Sequence, residues 1–212
     1  MDSIDHIRSN ITEINTILNY AQQNQADIKM YQMFNKIAVV LLCTKFEVFL
    51  EDFMDEHSRM VIQGHTNTSI PTKMKDTYID TAVNSASGVK NKTVRNSFLQ
   101  SLMTLLKNDG SSIASIMNIR PSTKFGMGKH GQKEIESLFE RHGLEAFIKS
   151  ADAQNDLRMM NSLFSIRNNV IHEDASPGLT HQTIEDHRNN IMHFVGLIES
   201  DIRANHLTYY NQ

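Results

Sequence analysis

The chain carries no glycine before Gly64 and no proline before Pro71, and in 212 residues it holds only 9 Gly and 3 Pro. A run that long without an enforced turn demands long regular elements, and the apolar pattern inside it says which kind. Ile4, Ile7, Ile11, Ile14 and Leu18 recur at three- and four-residue steps, one face of a helix, with Asp2-Ser3 placed as its N-cap. This predicts an amphipathic helix reaching to about Ala26. A second helix, from about Ile28 to Gln63, is apolar through Phe49 and ends at Gly64, so its centre is the expected spine of the core. No segment alternates with period two. The expected fold class is all-α, and 40% hydrophobic residues over this length suit one sizeable core.

Downstream, Pro71 breaks the chain, and two further helices are expected over Thr72 to Ser87 and Thr93 to Asn108, ended by Gly88 and Asp109-Gly110. The clearest loop runs from Arg120 to Gly131. Short helices follow at Gln132 to His142 and Leu144 to Ser150, then one from about Ala153, and a last one from a Thr180 cap to about Asn205.

Several chemistries are poorly supported. Gly126, Gly128 and Gly131 match G-x-G-x-x-G by letter, but no strand precedes them and no Walker Lys-Ser/Thr follows, so neither a dinucleotide site nor a P-loop is expected. There is no H-E-x-x-H, no Cys/His pairing and no G-x-S-x-G elbow. No metal and no cofactor is expected. The single cysteine, Cys43, lies in the apolar run Ile37 to Cys43 and is expected as a core residue, while Glu51, Asp52, Asp55, Glu56 and His57 suit a solvated helix face. No apolar run approaches a membrane span and the acidic N-terminus does not resemble a signal peptide, so a cytoplasmic protein without a membrane partner is expected.

Charge is unevenly distributed. The chain carries a net −3, yet from Val89 to Lys133 it has Lys90, Lys92, Arg95, Lys107, Arg120, Lys124, Lys129 and Lys133 against Asp109 alone. Such a zone is available to a polyanion. Arg120, Lys124, Lys129 and Lys133, in or beside the glycine-rich loop, are the candidate RNA contacts.

The residues that point to chemistry are Arg167-Asn168-Asn169-Val170-Ile171-His172, near a helix end. They combine a permanent cation, a titratable imidazole and two amides, the groups needed to hold a phosphodiester and move protons around it. The spacing alone is weak evidence, because Arg59 to His65 and Arg188 to His193 share it. Context separates the three. Arg59 to His65 reads as a helix end. His193 points away from the stripe Ile191, Val195, Ile198 and Ile202 and should be solvated. Arg167 falls on the apolar side set by Leu157, Met160, Phe164 and Ile171, where a charge needs a partner or a function.

Leu163 to His172, followed by a turn and a terminal helix, is similar to the signature of HEPN domains, small α-helical proteins many of which are ribonucleases. Lys45 to Leu50 and Lys133 to Gly143 resemble the layout of the RiboL-PSP-HEPN group within them, over roughly Met30 to Ile202. The resemblance implies a single domain over 1–212, an antiparallel helical bundle of core helices about 3–63 and 153–205, with extra helices and the basic loop inserted over about 64–152. It also implies a homodimer that brings two Arg/His motifs together across one cleft, and metal-independent RNA cleavage. By position His172 would be the general acid/base, Arg167 would hold the phosphate, and Asn168 would be the polar residue favoured after Arg. Glu47 is a candidate partner for Arg167, and Asn169 a supporting residue. Two departures stand out: Glu173 follows His172 where a small residue is common, and Asp174 replaces the tyrosine of the toxin branch regulated by modification. A toxin-like nuclease of defence or stress, with an antitoxin or activating partner, is the leading expectation. A non-catalytic HEPN module binding RNA or a protein is the alternative.

Overall fold

A computed structural model describes residues 1–124, 131–173 and 178–205, with the side chains of 117, 118 and 173 excepted. Among these residues there are eight α-helices and no strand: α1 (Asp2–Gln23), α2 (Ile28–Gly64), α3 (Thr72–Gly88), α4 (Lys92–Leu106), α5 (Gln132–Arg141), α6 (Glu145–Ile148), α7 (Ala151–Glu173) and α8 (His181–Asn205). A short 3-10 helix, Ala114–Asn118, lies between α4 and α5. None of the helices is long and apolar enough to cross a membrane.

Local chemistry sets the start of three helices. Asp27 Oδ1 accepts from the Lys29 and Met30 amides at 3.0 and 3.1 Å and starts α2, Asn91 does the same for α4, and Thr180 Oγ1 accepts from the Thr183 amide to start α8. The expected cap on α1 does not form. Ser3 lies inside the helix, and its hydroxyl donates to Glu56 Oε2 on α2 at 2.6 Å. A charge-assisted bond to a carboxylate outcompetes the weaker local cap and pins the start of α1 to α2.

The core falls into two clusters joined by α2. The larger gathers α1, α2, α5, α6, α7 and α8 and includes seven phenylalanines. Phe53 stacks on Phe139 at 6.0 Å, while Phe194 meets Phe46, Phe139 and Phe147 at 5.7–6.1 Å. Ile135, Leu138, Phe139, Phe147 and Ile148 belong to this core although they lie within 64–152 in sequence. The smaller cluster is built by the end of α2 (Val61, Ile62), α3, α4 and the 3-10 helix. His57, expected on a solvated face, is buried instead and stacks on Phe53 at 5.9 Å. Of the acids around it, Asp52 is exposed, and Glu51, Asp55 and Glu56 are half-buried.

Candidate functional site

The motif occupies the last two turns of α7. Leu157, Met160, Leu163 and Phe164 bury one face of this helix, and Arg167 continues that face as a half-buried side chain. Opposite it on α2 lie Cys43 and Glu47. The Cys43 thiol is pushed up to about 12 by burial, with Arg167 pulling it down and Glu47 raising it, so both charges stand close to one side chain. α2 and α7 thus bring Glu47 and Arg167 into one neighbourhood, and Cys43 is a buried thiol unsuited to nucleophilic work. The Arg167 guanidinium donates through Nη1 to Asn168 Oδ1 at 3.1 Å, which fixes one edge of its fork. Asn169 is half-buried, and His172 is exposed on the final turn. His172 follows Arg167 by a step of five residues along the helix, about 7.5 Å along the axis.

The two lookalikes are built differently. His65 Nδ1 bonds the Val61 carbonyl at 2.9 Å, closing the end of α2, and Arg59 pairs with Asp55. At the other, Arg188 is tied to Asn15 of α1 and to Asn189. His193 is not simply solvated as expected: its side chain is 61% exposed, but Nδ1 meets Asp156 Oδ2 at 2.7 Å, and that carboxyl side chain is only 4% exposed. Helical phase told which way His193 leaves α8, and the neighbouring α7 supplied the partner that phase cannot reveal. His193 therefore serves a buried carboxylate, whereas His172 faces open solvent.

Of the candidate RNA contacts, Arg120, Lys124 and Lys133 are exposed, and Lys129 lies outside the described residues, as do Gly126 and Gly128. The end of the loop is well placed. A Cβ on Gly131 would come within 2.9 Å of the Phe164 ring and 3.1 Å of Asn161 Oδ1, so the backbone touches α7 one turn before Arg167. A hydrogen-bond cluster secures this contact: Asn161 Nδ2 donates to Gln132 Oε1 at 3.0 Å, and Gln132 Nε2 donates to Glu136 at 2.8 Å and Gln154 at 3.0 Å.

A family model for RiboL-PSP-HEPN matches residues 5–204, nearly the whole chain and every element just described. The chain belongs to the RiboL-PSP-HEPN family. No curated protein and no solved structure gives a significant match. As a HEPN domain, the chain falls in a class of ribonucleases and RNA-binding modules, and its all-α architecture agrees with that membership.

One feature of this HEPN domain escaped the sequence reading. Met33, Ile37 and Val48 of α2 and Ile171 of α7 are each 44–48% exposed, and a groove of about 390 Å³ is lined by Ile37, Val40, Leu41, Thr44 and Val170 together with Lys36. The signal was present, because α2 is apolar on more than the one face a core needs, and an apolar second face is a surface waiting for a neighbour. The groove adjoins the motif through Val170. Among the described residues no group of three or more metal-ligating side chains comes together.

Proposed function

We propose that this HEPN domain is a metal-independent endoribonuclease, acting in the cytoplasm as a toxin-like enzyme of defence or stress. The observation that carries the reading is the setting of Arg167. A guanidinium held half-buried beside Glu47 and Asn168, two turns from a helix end that exposes an imidazole, is a phosphate clamp next to a proton carrier.

In the proposed reaction an imidazole takes the proton of a ribose 2′-OH as the 2′ oxygen bonds to the adjacent phosphorus. The bond from phosphorus to the 5′ oxygen breaks, and that oxygen takes a proton from a second, protonated imidazole. The products are a 2′,3′-cyclic phosphate and a 5′-OH. Arg167 meets the charge that grows on the non-bridging oxygens. One copy presents a single motif imidazole where base and acid need two, so the reading includes a homodimer formed through the apolar groove of α2 and α7 beside the motif. The exposed Lys124 and Lys133, with Lys129, would hold the flanking phosphates, and an antitoxin or activating protein would control the enzyme.

End-group analysis of RNA incubated with the purified protein in EDTA tests the reading. Cyclic phosphate and 5′-OH ends are expected, lost at least a hundredfold in His172→Ala and in Arg167→Ala with helicity intact. Wild-type cleavage in both variants would sink it. RNA or protein binding without any cleavage would favour the non-catalytic HEPN module.

A further inference from the structure

Where the two cores meet along α2 there is a small, partly enclosed cavity that the motif does not use. Asp55, Ser58 and Arg59 of α2, Tyr78 of α3, and Arg120 and Thr123 after the 3-10 helix are among the residues that line it. Its volume is about 30 Å³, and since a water position needs roughly 10–15 Å³ on this measure, it holds about two waters or the inserted part of one tetrahedral oxyanion.

Ile62, Ile119 and Pro121 give the lining an apolar wall, and the polar groups set into it need a reason. Ser58 is 6% exposed, and its Oγ is one of the buried polar atoms among the described residues that lack a hydrogen-bond partner. The Tyr78 phenol lies beside it, close enough for the serine hydroxyl to favour the phenolate, yet outside hydrogen-bonding geometry. Burial nevertheless pushes the phenol up to about 12 against that hydroxyl and against Arg120, so Tyr78 stays a neutral O–H donor. A buried hydroxyl left without a partner is a standing cost to the fold.

The charges then choose the ligand. Arg59 and Arg120 bring two guanidiniums, and the only carboxylate among the described residues that line the cavity, Asp55, is already paired with Arg59. The balance is +1, which disfavours a cation. An apolar ligand would leave the Ser58 hydroxyl unmet. A tetrahedral oxyanion answers the two hydroxyls and the guanidinium of Arg120 together. Shape narrows this further, because an internal phosphodiester carries two bulky substituents and needs an open slot, whereas a phosphomonoester carries one and can enter a partly enclosed cavity end-on.

We propose that the cavity formed by Ser58, Arg59, Tyr78 and Arg120 is a phosphomonoester site, taking the terminal phosphate of an RNA end or of a mononucleotide. The site is separate from the Arg167/His172 motif and does not rest on its activity. The cleavage products proposed above carry a cyclic diester and a free 5′-OH, so the site reads phosphorylated ends that the enzyme does not itself make.

The test uses the full chain in the His172→Ala background, where RNA is not consumed. One oligoribonucleotide is titrated in three forms, 5′-phosphate, 3′-phosphate and unphosphorylated, by fluorescence anisotropy, and adenosine monophosphate and inorganic phosphate by calorimetry. The site predicts at least tenfold tighter binding of one phosphorylated end over the unphosphorylated strand, falling below threefold in Arg120→Gln and in Ser58→Ala, while in Ser58→Ala the unphosphorylated strand binds within threefold of its parent value. Binding of adenosine monophosphate with the same dependence on Arg120 and Ser58, without discrimination between RNA ends, would assign the site to a free nucleotide. No preference in any arm, or a preference that persists in both variants, overturns the proposal. Since cleavage plays no part in these readings, their failure is distinct from failure of the nuclease assignment.

Discussion

Two Gly→Ala substitutions that are chemically identical are expected to move stability in opposite directions. At Gly131 the backbone holds φ 45° and ψ −109°, and an added Cβ would stand 2.9 Å from the Phe164 ring. The backbone conformation costs an L-residue about 1–3 kcal/mol, and forcing a methyl into a filled contact costs about 1–3 kcal/mol more. Gly196 lies inside α8, and a methyl added there would meet no heavy atom within 4 Å, so alanine gains roughly 0.8–1 kcal/mol of helix propensity. For a chain of this size, about 1 kcal/mol corresponds to roughly 2–4 °C in Tm. Gly131→Ala should therefore fall by on the order of 5–20 °C and Gly196→Ala rise by about 2–4 °C, read by calorimetry and by urea midpoints with unchanged m-values. Because Phe164 precedes Arg167 by one turn, Gly131→Ala should also impair cleavage at temperatures where it remains folded. Equal shifts of one sign in the two variants would refute the packing of the loop end against α7.

Three further outcomes follow from the same geometry. His193→Ala should leave cleavage within a few-fold of wild type but lower stability by about 1–2 kcal/mol in urea titrations, because it strips Asp156 of its partner; a loss of cleavage as deep as that of His172→Ala would mean the motif was misassigned. Burial holds His142 down to about 4 from an ordinary 6.5. The unfolded chain thus takes this proton first, and stability should drop by about 3 kcal/mol as pH falls from roughly 6.5 to 4. His142→Leu should flatten that part of a pH series of urea midpoints, and an unflattened series would show that another group governs it. Replacing Lys124, Lys129 and Lys133 together by Gln should weaken RNA binding and flatten its salt slope by up to about one unit per lost contact, with the cleavage products unchanged; an identical slope would move the RNA path elsewhere.

The helices and their inward faces were legible because periodicity is a local property. Ile4 to Leu18 and Leu157 to Phe164 are buried where their spacing placed them, and Arg167 was conspicuous as a cation on an apolar stripe. What stayed hidden depends on groups far apart in sequence. Ser3 has the composition of a cap, but Glu56 claims it from another helix. His57 sits among acids, yet the stacking neighbour Phe53 and the packing of α2 bury it. Asp156 and His193 meet only because α7 and α8 run side by side. The turn of 3-10 helix at Ala114–Asn118 is too short to show a period. Likewise, nothing in the neighbourhood of Ser58 foretells Arg120, which the smaller core brings to it.

The ring cluster sets a timetable for synthesis. Phe194 is the ring that touches Phe46, Phe139 and Phe147 at once, and α8 also buries Ile191, Val195, Ile198 and Ile202. Translation proceeds from the N-terminus at about 5–20 residues per second, so α7 with its Arg167 and His172 exists for seconds before the helix that completes the packing around it. A nascent chain therefore carries the motif without its scaffold until α8 has been made. Under the proposed nuclease function, each chain would be without a formed site for as long as its own α8 is still being made.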